Sequence, residues 1–103
     1  MFDIKKMMDA IKDASQMQQK VQEELKNEMV DGSAGGGMVT ARMNGHFELV
    51  GLHIEASVYQ MNDQAFLEDM VKAAVNDASK KARELLAEKM KALSGRLGLP
   101  LGS

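Results

Sequence analysis

Cysteine is missing from this 103-residue chain, proline occurs once, and Phe2, Phe47, Tyr59 and Phe66 are its aromatic residues. Without cysteine there is no disulfide framework, no thiolate metal site and no thiol nucleophile, which fits a reducing compartment. So few rings leave little on which to stack bases, and that argues against a single-strand-binding platform. No apolar run approaches the roughly 20 residues of a membrane span. The start, Met1-Phe2-Asp3-Ile4-Lys5-Lys6, lacks the apolar stretch of a signal peptide. The expectation is a soluble cytoplasmic protein. Neither sign of charge dominates: 13 Lys and Arg against 15 Asp and Glu leave −2, a balance that taken globally disfavours nucleic acid.

Chemical groups are equally sparse. His46 and His53 are the histidines, in one strand region with no third ligand at metal spacing, whereas zinc wants three or four converging donors. No serine sits in a nucleophile-elbow context. The carboxylate pairs Glu23-Glu24 and Glu68-Asp69 fall on helix faces, where solvated surface is the ordinary reading. No catalytic residue, cofactor, metal or small-molecule substrate is expected, and no enzyme.

What the chain does have is methionine, ten residues of it, suited to adaptable packing or an oligomer interface. It also has glycine, gathered at Gly32, Gly35, Gly36, Gly37 and Gly45 between two long helix-like segments. Gly32 and Gly37 have the spacing of a Walker phosphate loop. Met38-Val39 follow instead of Lys-Ser, and a strand follows instead of a helix, so there is little to hold a phosphate. A flexible strand connector is expected.

The length fits one domain, residues 1–103. From about 3 to 26, Ile4, Met7, Ile11, Ala14, Val21 and Leu25 recur at steps of three and four, with Gln18 interrupting, and Asp3 suits the N-cap. The spacing predicts a helix. A sheet is expected over about 28–56. Met29 to Asp31 suits a short strand, and Val39, Ala41 and Met43 alternate with polar neighbours. Asn44-Gly45 supplies positive φ for a tight hairpin, and Phe47 to Glu55 returns. Apolar parity switches near Val50-Gly51, which predicts a bulge at Gly51. After Asn62 or Asp63 as cap, a second helix runs over about 63–97, its apolar positions from Val71 to Leu97 stepping by three and four. Gly95, Gly98 and Pro100 stop it, leaving a tail at 98–103. The fold class is α+β: long helix, three-stranded antiparallel sheet, long helix.

A helix of that length spans about 50 Å, far beyond a sheet of three short strands, and its apolar stripe runs the whole way. A second copy of the chain is the economical cover, so a homodimer with projecting helical arms is expected. Charge along the second helix is uneven. Asp63, Glu68, Asp69 and Asp77 outweigh Lys72 in its first half, and Lys80, Lys81, Arg83, Lys89, Lys91 and Arg96 outweigh Glu84 and Glu88 in its second. Complementing the helix dipole explains only part of this. Lys5, Lys6 and Lys12 enrich the start of the first helix. Basic arms of this kind suit the phosphates of double-stranded DNA, though a solvated helix face accounts for them as well. No helix-turn-helix is evident, so base readout is not expected.

The run Val30-Asp31-Gly32-Ser33-Ala34-Gly35-Gly36-Gly37-Met38-Val39, joined to Met43-Asn44-Gly45, resembles the YbaB/EbfC family of bacterial nucleoid-associated proteins. So do Leu67 to Ala78, the Met- and Gln-rich first helix and the Gly98-Leu99-Pro100 ending, so that nearly the whole chain is covered. The glycine run alone is weak; the three blocks at this spacing are specific. The resemblance implies an α-β-β-β-α protomer, a homodimer with tweezer-like helical arms, DNA binding in the cytoplasm at the nucleoid, and no enzymatic activity. Relatives tend to carry Asp-Pro where this chain has Glu55-Ala56. The family residues Asn76 and Asp77 lie in mid-helix, better placed for helix–sheet packing or bonds across a dimer than for DNA. Phosphate contacts are expected from Lys5, Lys6, Lys12, Lys80, Lys81, Arg83, Lys89, Lys91 and Arg96. The competing class is a helical protein-interaction or scaffold module that binds no DNA directly, its Met-rich arms gripping a partner helix.

Overall fold

The computed structural model describes residues 3–97. Helix α1 spans Ile4–Asn27, followed by strands β1 (Met29–Ala34), β2 (Val39–Asn44) and β3 (Leu49–Ile54), a short helix α2 (Ala56–Gln60) and the long α3 (Gln64–Leu97). The strands form one antiparallel sheet in the order β1-β2-β3. This is the expected helix–sheet–helix arrangement. The radius of gyration is 19.9 Å and the long dimension 73 Å, against about 13 Å for a compact domain of this length. Helical arms supply the excess.

Local rules account for the helix starts. The Asp3 carboxylate accepts from the amides of Lys5 and Lys6 at 3.1 and 3.3 Å, satisfying orphan donors of the first turn. Asp63 does the same for Phe66 at 3.0 Å. Helix α3 continues through Gly95 to Leu97, so that glycine does not end it; Gly98, Pro100 and the tail lie outside the described residues. Helix α2 was not anticipated. Five residues are too few to declare a helical period, yet α2 buries Val58 completely.

The core forms where α3 lies across β1 and β2. Ala74, Ala78 and Ala82 of α3 meet Val39, Ala41 and Met43 of β2, all buried, with Val30, Ala34, Leu67, Val71 and Val75 packed around them. Gly32 makes the close approach possible. It lies inside β1 and not in the connector. A Cβ there would fall 2.1 Å from the Ala78 amide nitrogen and 2.4 Å from the Ala74 carbonyl oxygen. The connector itself is a single tight turn, Gly35–Gly37, with all three residues at positive φ.

The β2–β3 connection departs from the expected two-residue turn. Asn44 ends β2, and Gly45, His46 and Phe47 form the loop, with Phe47 at φ 63 and its amide donating to the Asn44 carbonyl at 3.1 Å. This is a three-residue hairpin with a left-handed final residue. The buried Asn44 side chain holds it. Its Oδ1 accepts from the His46 and Glu48 amides at 2.9 and 3.1 Å, and its Nδ2 donates to Glu48 Oε1 at 2.8 Å. Gly45 is required for contact: its amide donates to Leu25 O at 2.7 Å, and a Cβ would lie 2.6 Å from that same oxygen. The hairpin thereby caps the carbonyl end of α1. Farther along β3, Arg42 faces Gly51 while Met43 faces Leu49, so Val50 is the extra residue beside Gly51 and parity switches there.

Candidate nucleic-acid interface

Helices α1 and α3 leave the sheet side by side and antiparallel. Ala14, Met17 and Val21 of α1 face Met90 and Leu93 of α3 across a cleft of about 350 Å³. Every residue from Ile4 to Gln16 is exposed. The first half of α1 is thus a free arm, carrying Lys5, Lys6 and Lys12.

The basic residues expected on α3 fall into separate environments. Lys80, Arg83 and Lys91 are exposed on the side turned away from Ala74, Ala78 and Ala82. Arg83 donates to Ser79 Oγ at 3.0 Å. None of the three pairs with a carboxylate among the described residues. Lys72 shares their stripe and exposure. Sequence reasoning missed it by counting it against the acidic residues around it, and helical phase, about three whole turns from Lys72 to Arg83, was the signal that places it with the stripe.

Lys81 lies on the flank. It pairs with Asp77 at 3.3 Å and donates to the Asp31 carbonyl of edge strand β1 at 2.9 Å. Lys89 is half-buried between Glu28 at 2.7 Å and Glu24 at 3.3 Å. These bonds, the Glu28 one first, hold its ammonium above the ordinary lysine range. The Arg96 side chain lies outside the described residues. Instead of one patch, the fold presents an exposed stripe on α3, a separate trio on the α1 arm, and two lysines engaged in holding elements together.

Asp77 belongs with those fasteners. Its carboxylate accepts from the Ser33 amide at 3.0 Å, tying α3 to β1. That bond first, and Lys81 next, hold its carboxyl below the usual range. Asp31 is likewise lowered by its bond from Arg42 at 2.8 Å, a cross-strand pair on the open face of the sheet. A carboxyl depressed by folding stabilises the fold above its unfolded pKa and ceases to do so as pH falls through the folded value. Asp77→Asn keeps an acceptor for Ser33 and removes the charge. It is expected to lower the urea midpoint at pH 7, with the gap to wild type narrower in acid, where Asp77 protonates. A gap of equal size at pH 7 and in acid would deny the ionised carboxylate this role.

Among the described residues, no three His, Cys, Asp or Glu side chains converge as a metal site, and no helix is long and apolar enough to cross a membrane. The glycine turn joins two antiparallel strands and leads into β2 and not into a helix, so it lacks the strand-to-helix junction of a phosphate loop.

Comparison with known proteins agrees with this geometry. The model of the YbaB/EbfC DNA-binding family matches residues 1–97. A nucleoid-associated protein of Chloroflexus aurantiacus is 47% identical over 87 residues, covering 82% of this chain and 87% of its own length. One from Thermoanaerobacter pseudethanolicus is 45% identical over 102 residues, covering 96% and 89%. The crystal structure of an uncharacterized protein from Helicobacter pylori superposes with a TM-score of 0.69 at 27% identity, over 87% of this chain and 98% of that one. By motif, by fold and by these matches, the chain belongs to the YbaB/EbfC DNA-binding family.

Proposed function

We propose that this protein is a non-enzymatic, nucleoid-associated DNA-binding protein. It grips duplex DNA as a homodimer through phosphate contacts, organising the chromosome or modulating expression from the cytoplasm. The observation that carries the reading is the exposed α3 stripe of Lys72, Lys80, Arg83 and Lys91, without carboxylate partners among the described residues although the chain is acidic overall. Lys5, Lys6 and Lys12 on the α1 arm extend the grip. Contacts of this kind position a protein on the duplex without reading sequence.

Dimerisation is supported by what the protomer leaves uncovered. Helix α3 shields β1 and β2 but not β3, so Leu49 and Leu52, paired across the sheet with buried Met43 and Ala41, remain 47% and 46% exposed. Phe47 and Val50 beside them, and Ile4, Met7, Met8 and Ile11 on the α1 arm, are also exposed. So much apolar surface on a small chain marks an interface. A second copy, related by a two-fold axis, would cover it.

Two measurements on one sample test this. Light scattering at micromolar concentration should give twice the chain mass; a monodisperse monomer sinks the dimer. Duplex anisotropy should lose affinity steeply with salt. Four contacts from one protomer predict a fall of about 10²-fold between 50 and 200 mM, and eight from two about 10⁴-fold. No binding at either concentration would favour the interaction module, to which the apolar α1 stripe is also suited.

A further inference from the structure

We infer that Lys89 is a positioning residue: a strut between α3 and the root of α1 that sets the direction of the arm, and not a phosphate ligand. Three observations meet at this root. Lys89 Nζ reaches Glu28 Oε1 at 2.7 Å and Glu24 Oε2 at 3.3 Å, so one ammonium bridges two carboxylates at the end of α1. Its side chain is only 25% exposed, whereas Lys80 and Lys91 are exposed. The Gly45 amide ties the same root to the β2–β3 hairpin, donating to the carbonyls of Leu25 and Glu28 at 2.7 and 3.2 Å. Beyond Leu25, α1 has little to hold it. Met17, Val21 and Glu24 are partly covered, and from Gln16 back to Ile4 everything is open.

Leverage makes such a root matter. From Glu24 back to Ile4 the helix rises about 30 Å. A swing of about 10° at the root moves the tip by about 5 Å, more than the roughly 3.4 Å rise of a base step. The hairpin contact ties the root to the sheet. Lys89 restrains sideways rotation toward or away from α3, which no other ion pair among the described residues does. The consequence for grip rests on the DNA-binding reading; the strut itself does not.

The chain has no native cysteine, so Ala10→Cys and Ala92→Cys, both at exposed positions, can carry a spin-label pair. Labelled protein diluted into unlabelled protein keeps the measured distance within one chain. Lys89→Met, which retains the stem, should broaden that distance and weaken duplex binding several-fold with the salt slope unchanged. Lys89→Glu combined with Glu28→Lys conserves net charge and reverses the pair. It should restore both the narrow distance and the affinity. An unchanged distance in Lys89→Met overturns the strut whether or not DNA binds. A salt slope shallower by about 0.9 for each protomer engaged in Lys89→Met, unrescued by the reversal, makes Lys89 a phosphate ligand and overturns the assignment. If wild type binds no duplex, the DNA reading fails while the distances still decide the strut.

Discussion

Gly32→Ala is expected to destabilise the fold by about 3 kcal/mol or more, at the upper end of what overpacking costs. The added Cβ would meet the Ala78 amide nitrogen at 2.1 Å and the Ala74 carbonyl oxygen at 2.4 Å. Both are backbone atoms of a regular helix, so no rotamer change relieves the contact. The strand and α3 must separate, and separation strips packing from Ala74, Ala78, Val39 and Ala41, the centre of the core. Domains of this kind are stable by only about 5–15 kcal/mol, and a single change of that size removes much of the margin. Gly36→Ala is the control. It faces open space but sits at φ +67, so its cost should stay near the roughly 1–2 kcal/mol of one left-handed alanine. Urea denaturation followed by circular dichroism measures both, since the chain has no tryptophan to report. A Gly32→Ala midpoint equal to or above that of Gly36→Ala would mean that α3 does not lie on β1 this closely.

Neutralising the α3 stripe should have the largest effect on binding. Lys72, Lys80, Arg83 and Lys91, replaced together by alanine, are expected to weaken duplex binding at 100 mM salt by at least about 10²-fold. The log–log salt dependence should become shallower by about 3.6 for each protomer engaged, since each phosphate contact releases about 0.9 counterion. Alanine is the best helix former, and these side chains face solvent, so helicity should hold and the loss can be read as lost contact. Lys81→Ala is the comparison. Its ammonium is committed to Asp77 and to the Asp31 carbonyl, and its removal should change the slope by less than one such contact. An unchanged slope in the fourfold variant would take the stripe out of the interface and leave the α1 lysines, or a protein partner, as the alternatives.

Much of the architecture is legible in short-range pattern. Asp3 and Asp63 cap their helices through bonds spanning three residues at most. The parity switch beside Gly51 marks the irregularity that the register contains. Asp77, set apart from DNA by its mid-helix position, does bind the sheet. Where the reading failed, the reason is distance along the chain. Gly32 looked like part of a connector because glycines follow it. Its role is set by Ala74 and Ala78, more than 40 residues later. Gly45 looked like a turn residue of positive φ. Its role is set by Leu25, and the left-handed conformation falls on Phe47 instead.

The basic residues divide along the same line. Their number and their crowding into the second half of α3 follow from the sequence alone, as do two long amphipathic helices around a small sheet, because caps and periodicity act over a turn or two of chain. Which lysines remain open to a polyanion is a tertiary matter. Lys89 meets carboxylates on the opposite helix, Glu24 lying 65 residues away, and Lys81 meets a strand carbonyl 50 residues away. No local rule registers partners so remote; only closing the loop between the helices, with the sheet as spacer, brings those charges within bonding distance.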